Sequence, residues 1–119
     1  MALAADQRIR RSADFRQVLA TGRRAGDRLL LIAATPNGRC VSRIGFSVSK
    51  RVGTAVVRNR VKRRLREVFN QIIASEPGNG DHENCLDIVV TARPAAAQAS
   101  FEELRTSAER LIVRVQRGR

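Results

Sequence analysis

Aromatic residues are scarce in this chain, which has four Phe and no Tyr or Trp among 119 residues. Base-stacking surfaces of the kind that hold single strands are therefore few. Phe15, Phe46, Phe69 and Phe101 each fit an apolar stripe and read as core. Phe15, on a short helix, and Phe46, on a half-exposed strand, are the two best placed to do otherwise. Histidine is scarcer still, since His82 is the only one, and a His–His acid/base pair is excluded. Cys40 and Cys85 form no C-x-x-C motif. A zinc site lacks ligands, and an intracellular chain gives no reason to pair the two thiols. Clustered carboxylates, which metal-dependent phosphodiester hydrolysis uses, are also lacking. The nearest approach, Asp81, Glu83 and Asp87, reads as a solvated loop running into a strand. No apolar run reaches the roughly 18 residues of a transmembrane helix. Met1 to Phe15 carries Asp6, Arg8, Arg10 and Arg11, unlike a secretory signal. The expectations are a cytoplasmic protein, no membrane partner, no metal or other cofactor bound by the protein itself, and no catalytic side chain.

Positive charge is what the chain has in excess, with a formal net charge of +12. It is concentrated. From Arg28 to Arg66 there is no Asp or Glu, while eleven basic residues fall there: Arg28, Arg39, Arg43, Lys50, Arg51, Arg58, Arg60, Lys62, Arg63, Arg64 and Arg66. A scattered excess would serve solubility, whereas a block creates a local field that attracts polyanions. Arg outnumbers Lys 21 to 2. Arg offers a planar fork for phosphate and stacks on bases, but a coding bias toward Arg accounts for that ratio equally well.

The hydrophobic pattern predicts the elements. Ser12 caps a helix over Ala13 to Ala20, with Asp14 in its first turn and Phe15, Val18 and Leu19 on one stripe. Gly22 ends it. Leu29 to Ala34 reads as a buried strand and Thr35-Pro36-Asn37-Gly38 as a turn. Val41 to Ser49 alternates, with Ile44, Phe46 and Val48 on one side, and is expected to complete a hairpin with the strand before it. Thr54 to Ile73 is helical, with Val57, Val61, Leu65, Val68, Phe69 and Ile72 in one arc. Pro77 to Asp81 breaks the chain, Leu86 to Thr91 is a further strand, and Arg93-Pro94 ends it. Ser100 and Glu103 form a capping box for a last helix carrying Phe101, Leu104, Ala108, Leu111, Ile112 and Val115 on its buried face. A further short strand fits near Arg23–Asp27 or Ser47–Lys50. The class is α+β, a single two-layer domain over residues 1–119 with one parallel strand pair in an otherwise antiparallel sheet.

Function is expected on the second helix and not on the last. Arg58, Arg60, Lys62, Arg63, Arg64 and Arg66 are six cations in nine residues. Arg58, Lys62 and Arg66 form one row beside the apolar arc; Arg60, Arg63 and Arg64 occupy the other flank and the back. Like charges four apart repel by a few tenths of a kcal/mol each, so a helix that keeps several such pairs points to a counter-anion. A solvated basic face is the plainer alternative. Gly53, beside Lys50 and Arg51, opens the helix at an end whose free N–H groups suit phosphate, although Gly53 equally serves as a turn residue. It belongs to no nucleotide-binding glycine motif. Only Asn59 and Asn70 are available on this helix to read base edges, so phosphate-dominated binding fits better than major-groove readout.

The segment from Lys50 to Arg66 reads Lys-Arg-Val-Gly-Thr-Ala-Val-Val-Arg-Asn-Arg-Val-Lys-Arg-Arg-Leu-Arg. It resembles the signature of the bacterial ribonuclease P protein subunit, Lys-[Lys/Arg]-x-Gly-x-Ala-Val-x-Arg-Asn-Arg-x-Lys-Arg-x-x-Arg. Phe15 with Gly22, the strand Leu86–Thr91 with Arg93-Pro94, and the amphipathic last helix agree with it too, so the resemblance covers most of the chain. It implies a four-stranded mixed sheet with three helices in the order α-β-β-β-α-β-α and a left-handed β-α-β crossover, against the usual right-handed rule. It implies a ribonucleoprotein endonuclease that removes the 5′ leader of precursor tRNA, with catalysis and Mg²⁺ carried by its RNA subunit. The partners would be ribonuclease P RNA and precursor tRNA, with no stable protein partner required. By position, Lys50, Arg51, Arg58, Asn59, Arg60, Lys62, Arg63, Arg64 and Arg66 would bind RNA, and Phe15, Leu19 and Phe46 would line a leader cleft. Two departures stand out. Leu19 occupies a position where the family often has a second aromatic, and the first long strand has aliphatics around Ile32 and Ala33 in place of another. A general RNA-binding module, such as a ribosomal protein or RNA chaperone, would share the basic helix but show no preference for a leader. A polybasic membrane-surface protein fits poorly, because the core needs the apolar face of that helix.

Overall fold

The computed structural model describes residue 9 and residues 12–37, 42–75 and 85–117. The elements run α1 (Ser12–Thr21), β1 (Arg23–Gly26), β2 (Leu30–Pro36), β3 (Arg43–Val48), α2 (Ala55–Ser75), β4 (Leu86–Ala92), a 3₁₀ turn (Pro94–Gln98) and α3 (Phe101–Arg117). Each predicted helix and strand is present, and the short strand anticipated near Arg23 is β1. Cys40, Asp81, Glu83, His82 and the Pro77–Asp81 breaker lie outside the described residues, as does Gly38 of the expected turn.

The four strands form one sheet in the order β1-β2-β4-β3. The expected hairpin between β2 and β3 is not formed: β4 lies between them, antiparallel to β2 and parallel to β3. The physical reason is burial. Five of the seven β4 residues in succession, Leu86 to Val90, are buried, so the strand needs cover on both faces and neighbours on both edges. Alternation within β2 and β4 divides the sheet. Leu30, Ile32, Ala34, Leu86, Ile88, Val90 and Ala92 join Ile44 in the main core with α2 and α3. Ala33 and Val89 point the opposite way, onto Ile9 and Val18, with Phe15 and Leu19 packed alongside. Helices α2 and α3 thus form the main second layer, and α1 covers part of the other face.

Helix α2 is held by its apolar arc. Val61, Leu65, Val68 and Phe69 are fully buried, with Val57 and Ile72 partly so. Burial of each large side chain contributes roughly 1.5–3 kcal/mol. Helix α3 begins as its sequence requires: Ser100 Oγ accepts from the Glu103 N–H at 3.1 Å, and the Glu103 carboxylate accepts from the Ser100 N–H at 3.0 Å. These bonds with Ser100 hold the Glu103 carboxyl below its usual range. Helix α1 ends where Gly22 donates its N–H to the Val18 carbonyl at 2.7 Å.

Two acids organise the remainder. Asp87, placed by the sequence at a strand start and expected to be solvated, is buried in β4. It accepts two bonds from Arg43, Nε at 2.8 Å and Nη2 at 2.6 Å, and one from Asn37 Nδ2 at 3.0 Å. Arg43, whose Nη1 also lies 3.7 Å from Asp14, is therefore taken out of the basic block and ties β3 to β4 and α1. Its hydrogen bond with Asp87 raises its pKa. Asp27 closes the β1–β2 turn by accepting from the Leu29 and Leu30 N–H groups at 2.8 and 2.9 Å. Its second oxygen accepts from Ser107 Oγ at 2.5 Å and Arg110 Nη2 at 2.7 Å, both on α3. Burial alone would raise the Asp27 carboxyl, but the bonds from Ser107, Leu30, Arg110 and Leu29 outweigh it and bring the pKa to about 2.

Because the folded pKa lies below the ordinary value of 3.8, the stabilisation from Asp27 is fully present above that value and lost as pH falls toward 2. Asp27→Asn is expected to cost about 1–3 kcal/mol at neutral pH, and the gap from the parent should narrow below pH 3. Urea denaturation at both pH values measures it; an equal gap at both would contradict the assignment.

Candidate nucleic-acid interface

The basic segment starts at a tight turn. Val52 is buried and donates its N–H to the Ser49 carbonyl at 3.1 Å, which leaves Lys50 and Arg51 exposed on either side of the bend. Gly53 follows with φ +155°, a value that residues bearing a side chain rarely adopt, and a Cβ there would meet Val57 at 2.9 Å. The glycine is thus required by the turn into α2. Thr54 Oγ1 accepts from the Val57 N–H at 3.4 Å and supplies a weak side-chain cap for the first turn of α2.

With the apolar arc of α2 buried, its cations emerge on two sides, as the helical wheel requires. On the β3 side, Lys62 and Arg66 join Ile9, Phe15, Ile44, Gly45 and Phe46 around a groove of about 170 Å³. Strand β3 is an edge strand, and Ile9 donates its N–H to the Ile44 carbonyl at 3.0 Å. The Phe15 ring lies directly over Gly45, where a Cβ would fall 2.3 Å from the ring tip. Any side chain at position 45 would push Phe15 away from the strand. Phe46 projects to the other face of β3 and meets Phe69 edge-to-face at 5.9 Å between ring centres. Phe15 and Phe46 therefore approach one groove from opposite faces of the sheet edge. Leu19 is not part of its lining; it packs beside Phe15 on the cluster around Val18.

The second side of α2 faces the start of α3. Arg60, Arg63, Arg64, Glu67 and Phe101 line a groove of about 450 Å³. Two of these arginines are tethered: Arg60 Nη2 donates to the Ala97 carbonyl at 3.1 Å and Arg64 Nη1 to the Ala99 carbonyl at 2.8 Å. Those carbonyls lie at the end of the 3₁₀ turn and just before the Ser100 cap. Arg60 and Arg64, both expected to bind RNA, thus each carry a structural bond as well. Each guanidinium has further N–H groups for a phosphate. The Nε atoms of Arg58 and Arg60 are buried without a hydrogen-bond partner among the described residues. Asn59 and Arg63 are exposed, as is Arg66.

All nine motif positions are thus brought to one turn and one helix; Lys62 and Arg66 line the groove beside β3, and Arg60, Arg63 and Arg64 the groove beside α3. Phe101 packs against the main core, as expected, and also lines the second groove. Its place on an apolar stripe marked it as core, and no local signal links it to Arg60, 41 positions earlier. Among the described residues no group of three or more His, Cys, Asp or Glu is placed to hold a metal ion, and no helix is long and apolar enough to cross a membrane. The arrangement is suited to neutralising and positioning a polyanion.

The tethers yield a stability pattern. Arg60→Ala and Arg64→Ala should each cost about 0.5–1.5 kcal/mol, while Arg63→Ala, with an exposed side chain, should change stability by less than about 0.5 kcal/mol. Thermal unfolding measures all three; equal effects would show that the carbonyl bonds contribute nothing.

Comparison with known proteins agrees with this geometry. The family model described as Ribonuclease P matches residues 3–116. The ribonuclease P protein component of a Nocardioides species is 42% identical over 116 residues, which cover 95% of this chain and 94% of that protein. That of Pseudarthrobacter chlorophenolicus is 50% identical over 105 residues, covering 87% and 72%. Among solved structures, the RNase P protein of Staphylococcus aureus superposes with a TM-score of 0.77 at 31% identity, over 92% of this chain and 96% of that one. The protein from Thermotoga maritima gives a TM-score of 0.73 at 25% identity over 92% and 96%. The basic helix, the sheet order that presents it and these likenesses have one conclusion: the chain belongs to the ribonuclease P protein family, the protein components of a bacterial tRNA-processing ribonucleoprotein.

Proposed function

We propose that this protein binds ribonuclease P RNA through its basic turn and helix and holds the 5′ leader of precursor tRNA in the groove beside β3. Endonucleolytic removal of the leader is then carried out by the RNA, which also holds the Mg²⁺. Lys50, Arg51, Arg58, Asn59, Arg60, Lys62, Arg63, Arg64 and Arg66 supply the RNA contacts, and Phe15 and Phe46 with Lys62 and Arg66 supply the leader groove. Leu19, expected in the leader cleft, packs with Phe15 on the cluster around Val18 and is not in the groove lining. The cytoplasm, where tRNA is processed, is the matching location.

The observation that carries this reading is the groove at the β3 edge. It sets one ring, seated on a glycine, against two cations of an α2 row. A strand laid along it would place phosphates on Lys62 and Arg66 and a base near Phe15, the combination that single-strand binding uses. The absence of an acid between Arg28 and Arg66 leaves a net positive field that attracts such a strand. The protein's contribution to the reaction is then binding and positioning. It neutralises phosphates that would otherwise repel one another as leader and RNA approach, and it fixes where the leader leaves the cleavage site.

Two measurements test this. If about 6–8 phosphates are neutralised, the log–log dependence of RNA affinity on salt should have a slope of roughly −4 to −6; a slope near −1 would refute the basic-helix interface. In the holoenzyme assembled with protein in saturating excess over the RNA, so that assembly is complete, Lys62→Ala with Arg66→Ala should weaken binding of precursor tRNA about tenfold while leaving mature tRNA unaffected. Equal weakening of both would remove the leader from the β3 groove and favour a general RNA-binding module.

A further inference from the structure

The groove between α2 and α3 is not accounted for by phosphate contacts alone, because one of its walls is an aromatic ring. Four features define it. Arg60 and Arg64 each donate one bond to a backbone carbonyl, at 3.1 and 2.8 Å, which anchors one end of each guanidinium beside the start of α3. Exposed Arg63 lies between them in sequence. Phe101 is the first residue of α3, directly after the Ser100 cap, so its backbone is fixed by the reciprocal Ser100–Glu103 bonds. It packs against the core yet remains partly exposed where it lines the groove. Glu67 is the one acid in the lining; it accepts from Gln71 Nε2 at 3.2 Å.

These groups differ in what they accept. Three guanidinium groups suit one or two phosphates. A carboxylate repels a further phosphate but accepts N–H or O–H bonds from a base or ribose. The partly exposed Phe101 ring adds an apolar aromatic surface to the lining. The groove is shallow and open, as suits a strand laid across it more than an enclosed ligand. Of the other three rings, Phe69 is fully buried, Phe46 is packed edge-on against it, and Phe15 belongs to the opposite groove.

Resting on the RNA-binding reading above, we infer that Phe101 is a stacking surface for an unpaired base of bound RNA, whose flanking phosphates lie on Arg60, Arg63 and Arg64. The groove is then a nucleotide site separate from the leader groove across α2. Helix α3 takes part in recognition through its first residue, and the arginine tethers to Ala97 and Ala99 fix the distance between ring and cations.

The scarcity of aromatics makes the test direct. With four Phe, one His and no Tyr or Trp, the aromatic proton NMR spectrum of the full chain is sparse, and Phe101→Leu identifies the Phe101 ring by its disappearance. The parent protein is titrated with a five-nucleotide oligoadenylate and with an abasic strand of equal phosphate number. The expected result is an upfield ring-current shift of the Phe101 protons with the adenylate and none with the abasic strand, together with about tenfold weaker adenylate binding by Phe101→Leu. Equal shifts with both strands would overturn the inference, since the groove would then take phosphate only. Shifts at Phe15 with none at Phe101 would overturn it and leave the proposed function standing. Absence of binding by either strand at low salt would overturn both.

Discussion

Burial of one arc of α2 is the constraint on which the rest depends. Val61, Leu65, Val68 and Phe69 have no exposure, and a helix whose apolar arc is fixed against a sheet has no freedom in where its other residues point. The six cations between Arg58 and Arg66 must then emerge along the two flanks and the back. Their mutual repulsion costs a few tenths of a kcal/mol per close pair. The burial of four large side chains exceeds that several-fold, so the helix remains folded while its charge remains unneutralised. The basic face is in this sense created by the core.

The surroundings of α2 turn that ridge of charge into two grooves. On one side the edge strand β3 brings Gly45 and Phe46, and α1 lays Phe15 across the glycine. On the other, the 3₁₀ turn offers the Ala97 and Ala99 carbonyls to Arg60 and Arg64, and the capped start of α3 presents Phe101. Each groove pairs cations with a ring, although the chain has only four rings in all. Arg43 shows the opposite use of the same residue type. Its bonds to Asp87 occupy the planar edge of the guanidinium that a phosphate would use, and it serves the sheet.

Much of this was legible in the sequence, where local rules suffice. The arc from Val57 to Ile72 gave α2 its limits to within two residues, the Ser100–Glu103 box gave the start of α3, and alternation from Ile44 to Val48 gave the core face of β3. Strand order was not legible. An apolar strand of six residues states that it is buried but not beside which strand, and adjacency in sequence suggested a β2–β3 hairpin where β4 intervenes. Contacts across long separations were hidden for the same reason. Arg43 with Asp87 and Arg60 with Ala97 span 44 and 37 positions, and a guanidinium drawn on a helical wheel looks the same whether it will meet a carbonyl or a phosphate. Family resemblance located the eight basic positions and Asn59, but it did not distinguish the two tethered arginines from the others or bring Phe101 to them.

The measurement that bears most directly on the central claim is cleavage of precursor tRNA at low Mg²⁺ by a refolded bacterial ribonuclease P RNA, with and without this protein. The account requires that the protein restore cleavage at the leader junction and be inert alone. Unchanged cleavage on addition of protein that demonstrably binds the RNA would contradict it, and cleavage by the protein without RNA would contradict the assignment of the chemistry to the RNA.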